Sequence, residues 1–280
     1  MTNGHLPPRA VLDIAKILGD DDRAFVVGGQ ALNLWAEYYS EHAAELLEFR
    51  PYTSKDIDYF GQRVVAEKLA AGLGGSIDAP SPDDTTFQTA IVHATVQGID
   101  IYIDFLSHVK GVQRGLEAGV VDLILPYDHE GEEAELAIRL MHPLHCLQSR
   151  VANVIDLGRN DGTSRRQLAA APIVLREYIT QSLAEGEERE AIDILRALFE
   201  YLRSDINGRK AHRVLRYDPI NILRHFIGDE RLDARWREKS LAGMIAQLEG
   251  KRTFLGRVLT ALRRADSESY PSGETRLVVR

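Results

Sequence analysis

Cysteine is nearly missing from this chain: among 280 residues there is one, Cys146. A single thiol excludes an intramolecular disulfide and any cysteine-rich zinc site. Long apolar runs are missing as well. No stretch approaches the roughly 18 consecutive apolar residues that a membrane-spanning helix needs. The opening segment, MTNGHLPPRA, lacks the apolar centre of a signal peptide, and a cytoplasmic protein without membrane contact is the expectation. Internal repeats and low-complexity tracts are absent too. What is present is ordinary for a globular protein that can bury a core, with 44% hydrophobic and 27% charged residues.

Charge is unevenly spread. Residues 1–195 carry 16 Lys and Arg against 31 Asp and Glu, whereas residues 196–264 carry 16 against 8. An acidic half joined to a basic one fits an active domain coupled to an anion-binding surface. Arg-rich helices that coat themselves, or dock onto the acidic half, would give the same asymmetry.

Residues 9–18 have helical apolar spacing, and Asp20-Asp21-Asp22 ends that pattern. The short apolar run AFVV (24–27) then meets Gly28-Gly29, and QALNLWAEYY after it is helical. Strand, double glycine and helix bring backbone N–H groups and a helix N-terminus to one place, which suits a phosphate; a tight turn also wants glycine. TSKDIDYF (53–60) reads as the next strand, followed by a helix over 62–72 and a loop rich in Gly, Pro, Ser and Asp over 72–85. TFQTAIVHATV and IDIYIDFLS form a hairpin around Gln97-Gly98. VVDLIL (120–125) and LAIRLM (136–141) are β-like, with an acidic loop between them. From His142-Pro143 the pattern is helical to about 264. The expected class is α+β: a mixed sheet with flanking helices over 1–141, an all-helical domain over 142–265, and a loosely ordered tail over 266–280.

Within TSKDIDYF, Asp56 and Asp58 are two residues apart and share a strand face. Like charges so close repel unless a cation lies between them. A D-x-D alone is weak, because Asp20 and Asp22 make another in what reads as a solvated turn. Asp104 strengthens the case. It stands near the end of a strand whose Ile99, Ile101, Ile103 and Phe105 face a core, so the carboxylate lies on the opposite face. Three carboxylates on adjacent strands can hold two divalent metals, and a glycine turn nearby can hold a triphosphate. That is equipment for attack on the α-phosphate of a nucleotide.

The combination resembles the nucleotidyltransferase superfamily with the polymerase-β-like fold, whose signature is a Gly-Gly or Gly-Ser turn, D-x-D, and a third Asp on a separate strand. FVVGGQALNLW followed by TSKDIDYFG is more specifically similar to the AbiEii-type toxin nucleotidyltransferases, over roughly residues 24–106. The resemblance implies a catalytic domain that moves a nucleoside monophosphate from an NTP to an acceptor hydroxyl. It further implies Asp56, Asp58 and Asp104 as ligands of Mg²⁺ or Mn²⁺, with Asp104 the third ligand or the base. Gly28, Gly29 and Ser54 become the triphosphate cradle. Lys110, just past the third strand, is a further phosphate contact. Arg150 stands where the toxin branch has a functional lysine; it can grip a phosphate bidentately but cannot act as a base. The Gly29-to-Asp56 interval is longer than in that branch, which reshapes the substrate mouth.

The toxin likeness and the basic helical half imply tRNA or another RNA end as acceptor, within a toxin–antitoxin or phage-defence system that includes a cognate antitoxin. A protein hydroxyl and a small-molecule antibiotic are the other acceptors, and a catalytically silent nucleotide-binding module is the alternative class. His142, His145 and Cys146 crowd one helix face with no second cluster to complete a zinc site, so Cys146 is read as core. Trp35 and Trp236 are read as core too.

Overall fold

A computed structural model of the chain describes residues 14–18, 23–52, 57–81, 83–84, 86–96, 98–113, 115–129 and 132–252. The expectations for Ser54 and Asp56, for the start of the first helix, and for most of the helix over 252–264 and the tail lie outside these residues.

Seven strands form one mixed sheet: β1 (Phe25–Val27), β2 (Ile57–Phe60), β3 (Ser76–Asp78), β4 (Gln88–Val96), β5 (Ile99–Leu106), β6 (Val120–His129) and β7 (Glu132–Met141), in the order β3-β4-β5-β2-β1-β7-β6. β2 lies antiparallel to β1 and parallel to β5, and β1 lies parallel to β7. Central β1 is buried along its whole length, as its unbroken Phe-Val-Val demands. β5 alternates as its sequence dictates: Ile101, Ile103 and Phe105 are buried, whereas Asp100 and Tyr102 are exposed and Asp104 is half-buried.

Eight α-helices are described: α1 (Gly28–Tyr39), α2 (Arg63–Leu73), α3 (Pro143–Leu157), α4 (Gly162–Ala184), α5 (Glu188–Ser204), α6 (Ile206–Lys210), α7 (Ile220–His225) and α8 (Ala242–Arg252). α1 is buried on nearly every side, because it is clasped between the sheet and the helices that follow β7. Trp35 carries that packing. Its indole N–H donates to the Met141 carbonyl at 3.0 Å, and its ring meets Tyr178 edge-on at 5.6 Å. One turn later the Tyr39 hydroxyl donates to Gln181 at 2.7 Å. Pro143 occupies the first turn of α3, where a missing N–H costs nothing. The Asp161 carboxylate caps α4 by accepting from Thr163 and Ser164.

Several boundaries differ from the sequence expectation. β3 arises inside the segment read as loop, since three residues are enough to pair with β4 through Ile77 opposite Val92. The acidic loop expected between 125 and 136 is instead the continuation of β6 and β7 into a long hairpin. Pro126 is accommodated there because β6 is an edge strand. By compactness the chain divides into Met1–Ile222 and Leu223–Arg280, whereas the expected domain boundary lies at 141 and 142. Within the second unit, Arg224 pairs with Glu249 at 2.6 Å and Trp236 is buried. Among the described residues no helix is long and apolar enough to cross a membrane.

Candidate active site

β1 delivers its chain directly into Gly28, whose φ of +67° lies in the left-handed region that only glycine adopts without strain. The close approach of Asp58 imposes a second demand. Val27 is paired with Asp58 across the sheet, and a Cβ on Gly28 would stand 2.2 Å from an Asp58 carboxylate oxygen. The Asp58 side chain therefore lies directly against the glycine turn.

β2 and β5 run side by side in register, with Ile57 opposite Ile103 and Asp58 opposite Asp104. Ile57, Tyr59, Ile103 and Phe105 are buried on one face, so Asp58 and Asp104 emerge together on the other, both half-buried. Adjacent strands are ~4.8 Å apart, which brings the two carboxylates to neighbouring positions. Gln88, at an irregularity of β4, donates its amide to the Asp104 carboxylate at 2.7 Å and holds it in place.

Arg150, on α3, carries a positive charge close enough to Asp58 to interact with it. It is 8% exposed, donates to the Gln167 side-chain oxygen at 3.0 Å and to the Ser149 hydroxyl at 3.3 Å, and its Nε is buried without a hydrogen-bond partner. Burial pushes its pKa down from the ordinary arginine value, and the nearby Asp58 charge opposes that fall. Gln167 reaches across to α1, where its amide N–H donates to Asn33 at 3.2 Å. The same amide rests on the second glycine: a Cβ on Gly29 would lie 2.5 Å from Gln167 Nε2.

Gly28, Gly29, Asp58, Asp104 and Arg150 thus belong to one neighbourhood. Lys110 is placed elsewhere, with its ammonium 3.1 Å from Asp156, six residues along α3 from Arg150. Ser54 and Asp56 lie outside the described residues. Gln88, Asn33 and Gln167 were missed in the sequence, because amides carry no motif. The only hint was a lone amide at the head of the apolar run LAAA.

Among the described residues no group of three His, Cys, Asp or Glu is placed to hold a metal. The described share of the expected ligand set is therefore Asp58 and Asp104. Two carboxylates in register on neighbouring strands repel each other, and a divalent cation between them relieves that repulsion. The residues present fit such an ion.

Two residues beyond Asp58 on the same strand face, Phe60 stacks on Phe25 at 5.0 Å. These rings, with Gly61, Ser107 and Arg23, line a cavity of about 500 Å³. His142 and His145 line a separate cavity of about 630 Å³ with Glu187, Glu190 and Asp193. Cys146 is fully buried, and its thiol is pushed up to about 12 by that burial. No family model, curated protein or solved structure matches the chain.

Proposed function

We propose that the protein is a metal-dependent nucleotidyltransferase that moves a nucleoside monophosphate from an NTP to an acceptor hydroxyl, with RNA, tRNA in particular, as the acceptor. The observation that carries the reading is the in-register pairing of Asp58 with Asp104 beside a glycine turn that leaves no room for a side chain. Two carboxylates at adjacent, half-buried positions repel each other, and a bound cation is the arrangement that turns that repulsion to use.

The chain's own groups divide the work as follows. Asp58 and Asp104 would hold Mg²⁺ or Mn²⁺, with Asp56 of the same D-x-D motif as the expected third ligand. When bound, the ion polarises the α-phosphate, eases deprotonation of the acceptor hydroxyl and neutralises charge on the departing pyrophosphate. The backbone at Gly28 and Gly29 approaches the triphosphate, since neither residue presents a side chain there. Arg150 supplies a fixed positive charge to the same group. The acceptor oxygen attacks the α-phosphorus, the bond from that phosphorus to the bridging oxygen breaks, and pyrophosphate leaves. Asp104 takes the acceptor's proton, held in position by Gln88. The stacked Phe25–Phe60 pair offers an apolar wall two residues from the carboxylates, suited to a base or ribose.

The test is an incubation of the purified protein with each α-³²P-labelled NTP, Mg²⁺ and total RNA, resolved on a denaturing gel beside a protein-only lane. Label in a small RNA with one nucleotide is the expected result, and it names that nucleotide. Label confined to the protein lane would move the acceptor to a side-chain hydroxyl. A toxin role predicts growth arrest on expression, relieved by a partner protein.

A further inference from the structure

Behind the glycine turn runs a line of buried amides. The Asn33 amide donates to the Gln30 side-chain oxygen at 3.4 Å, the Gln167 amide donates to Asn33 Oδ1 at 3.2 Å, and Arg150 Nη1 donates to Gln167 Oε1 at 3.0 Å. All four side chains are at least nine-tenths buried. The line crosses α1, α4 and α3, so it sets the spacing of three helices around the site. Among the described residues, the hydrogen-bond partners of Arg150 are two neutral oxygens, those of Gln167 and Ser149. A buried guanidinium is usually matched by a carboxylate within hydrogen-bond reach, which cancels its field. Here the fixing partner is an uncharged amide. Among the described residues no carboxylate hydrogen-bonds the guanidinium, and the charge of nearby Asp58 offsets the effect of burial only in part.

From this arrangement we infer that Gln167, steadied by Asn33, is a positioning residue that holds Arg150 as a buried charge without a hydrogen-bonded counterion, so that the site binds a triphosphate. Gln167 does three things at once. It accepts from Nη1 and so fixes the plane of the guanidinium. Its neutrality leaves the positive field for an arriving polyphosphate. Its packing on Gly29 ties the same arginine to the turn that receives the phosphates. An acid at this position would make the same hydrogen bond to Arg150 and remove the field. The inference rests on the transferase reading only in taking a nucleotide as the natural ligand.

That difference makes Gln167→Glu the decisive variant. It is close to isosteric, and the amide line can reverse to accept it. Asn33 would then donate to the new carboxylate, and Gln30 Nε2, which is buried without a partner, would donate to Asn33. The probe is inorganic tripolyphosphate, titrated calorimetrically without metal into the full chain, alongside thermal melting. The expected result is binding to the native protein and at least about tenfold weaker binding to Gln167→Glu, with a melting temperature that is unchanged or raised. A merely structural Gln167 would leave the affinity within about twofold of native, because its contact with Arg150 survives. That outcome overturns the inference, as does a native protein that does not bind tripolyphosphate. Should Gln167→Glu fail to fold, Gln167→Met removes the acceptor while keeping the volume. It is expected to lose affinity for tripolyphosphate, and native-like affinity in Gln167→Met would overturn the inference. Tripolyphosphate binding that depends on Gln167, in a protein that transfers no nucleotide, would leave the inference standing and remove the transferase reading. Transfer that survives in Gln167→Glu with an unchanged KM would do the reverse.

Discussion

Asp58 and Asp104 are the residues on which the chemistry turns. Replacing either with asparagine keeps the size and the strand pairing but removes the negative charge that repels its neighbour. Asp58→Asn and Asp104→Asn are each expected to lower transfer by about 10³-fold or more while the protein still folds, with only a modest drop in melting temperature for Asp58→Asn, where buried Arg150 loses a nearby anion. A rate assay paired with thermal melting checks both halves, and a fall in stability matching the fall in rate would count against the assignment. Gly28 sets the opposite limit. Gly28→Ala adds a methyl at φ +67° and 2.2 Å from the Asp58 carboxylate, so the aspartate must move. A stability loss of about 1–2 kcal/mol with near-complete loss of activity is expected, read by denaturant unfolding beside the rate assay. At this scale the sequence was informative where residues carry charge or conformational demand. The glycines and Asp104 stood out; Gln167 and Gln88 did not, because their roles come from contacts 17 and 16 residues away in the chain.

α3 opens with a histidine that does a capping residue's work. The His142 Nδ1 accepts from the Leu144 N–H at 3.0 Å, so that nitrogen must be unprotonated. Burial pushes His142 down to about 3, assisted by His145, and burial alone takes His145 down to about 4. Both folded values lie below the ordinary histidine value of about 6.5. As pH falls through 6.5 the unfolded chain takes up protons that the folded chain refuses. Stability is therefore retained above about pH 6.5 and lost progressively toward pH 3, the His145 share down to about pH 4 and the His142 share down to about pH 3. His145→Gln is expected to flatten the curve of melting temperature against pH across that window, and an unaltered slope would contradict the burial argument. Among the elements, β5 and the long helices were legible because period-2 and period-3.6 patterns are local. β3 was hidden by its Gly- and Pro-rich surroundings, since its pairing depends on β4. The extension of β6 and β7 was hidden by a cluster of acidic residues that reads as loop, although an edge hairpin tolerates them.

For the molecule as a whole, the division in compactness after Ile222 has a direct physical cause. α1 leaves the sheet with Trp35 and Tyr39 already committed to Met141, Tyr178 and Gln181, and Arg150 and Gln167 complete the site from helices that follow the sheet. A chain ending after residue 141 would expose those faces, so it is expected to aggregate or melt without cooperativity. A chain ending after residue 222 is expected to melt in one transition, as circular dichroism of the two truncations would show. The expected boundary at 141 and 142 follows the change from strands to helices, whereas the division by compactness follows which elements pack together. The basic excess over 196–264 is a further property of the whole chain, and RNA binding that weakens steeply with salt is its expected signature.

The central claim is nucleotidyl transfer, and a pair of labels on one NTP tests it most directly. With the accepted nucleotide labelled at the α-phosphate, the native protein is expected to move label to the acceptor in the presence of Mg²⁺. The same nucleotide labelled at the γ-phosphate should leave the acceptor unlabelled, and Asp58→Asn should abolish transfer altogether. Label arriving from the γ-position, or undiminished α-transfer by Asp58→Asn, would contradict the account.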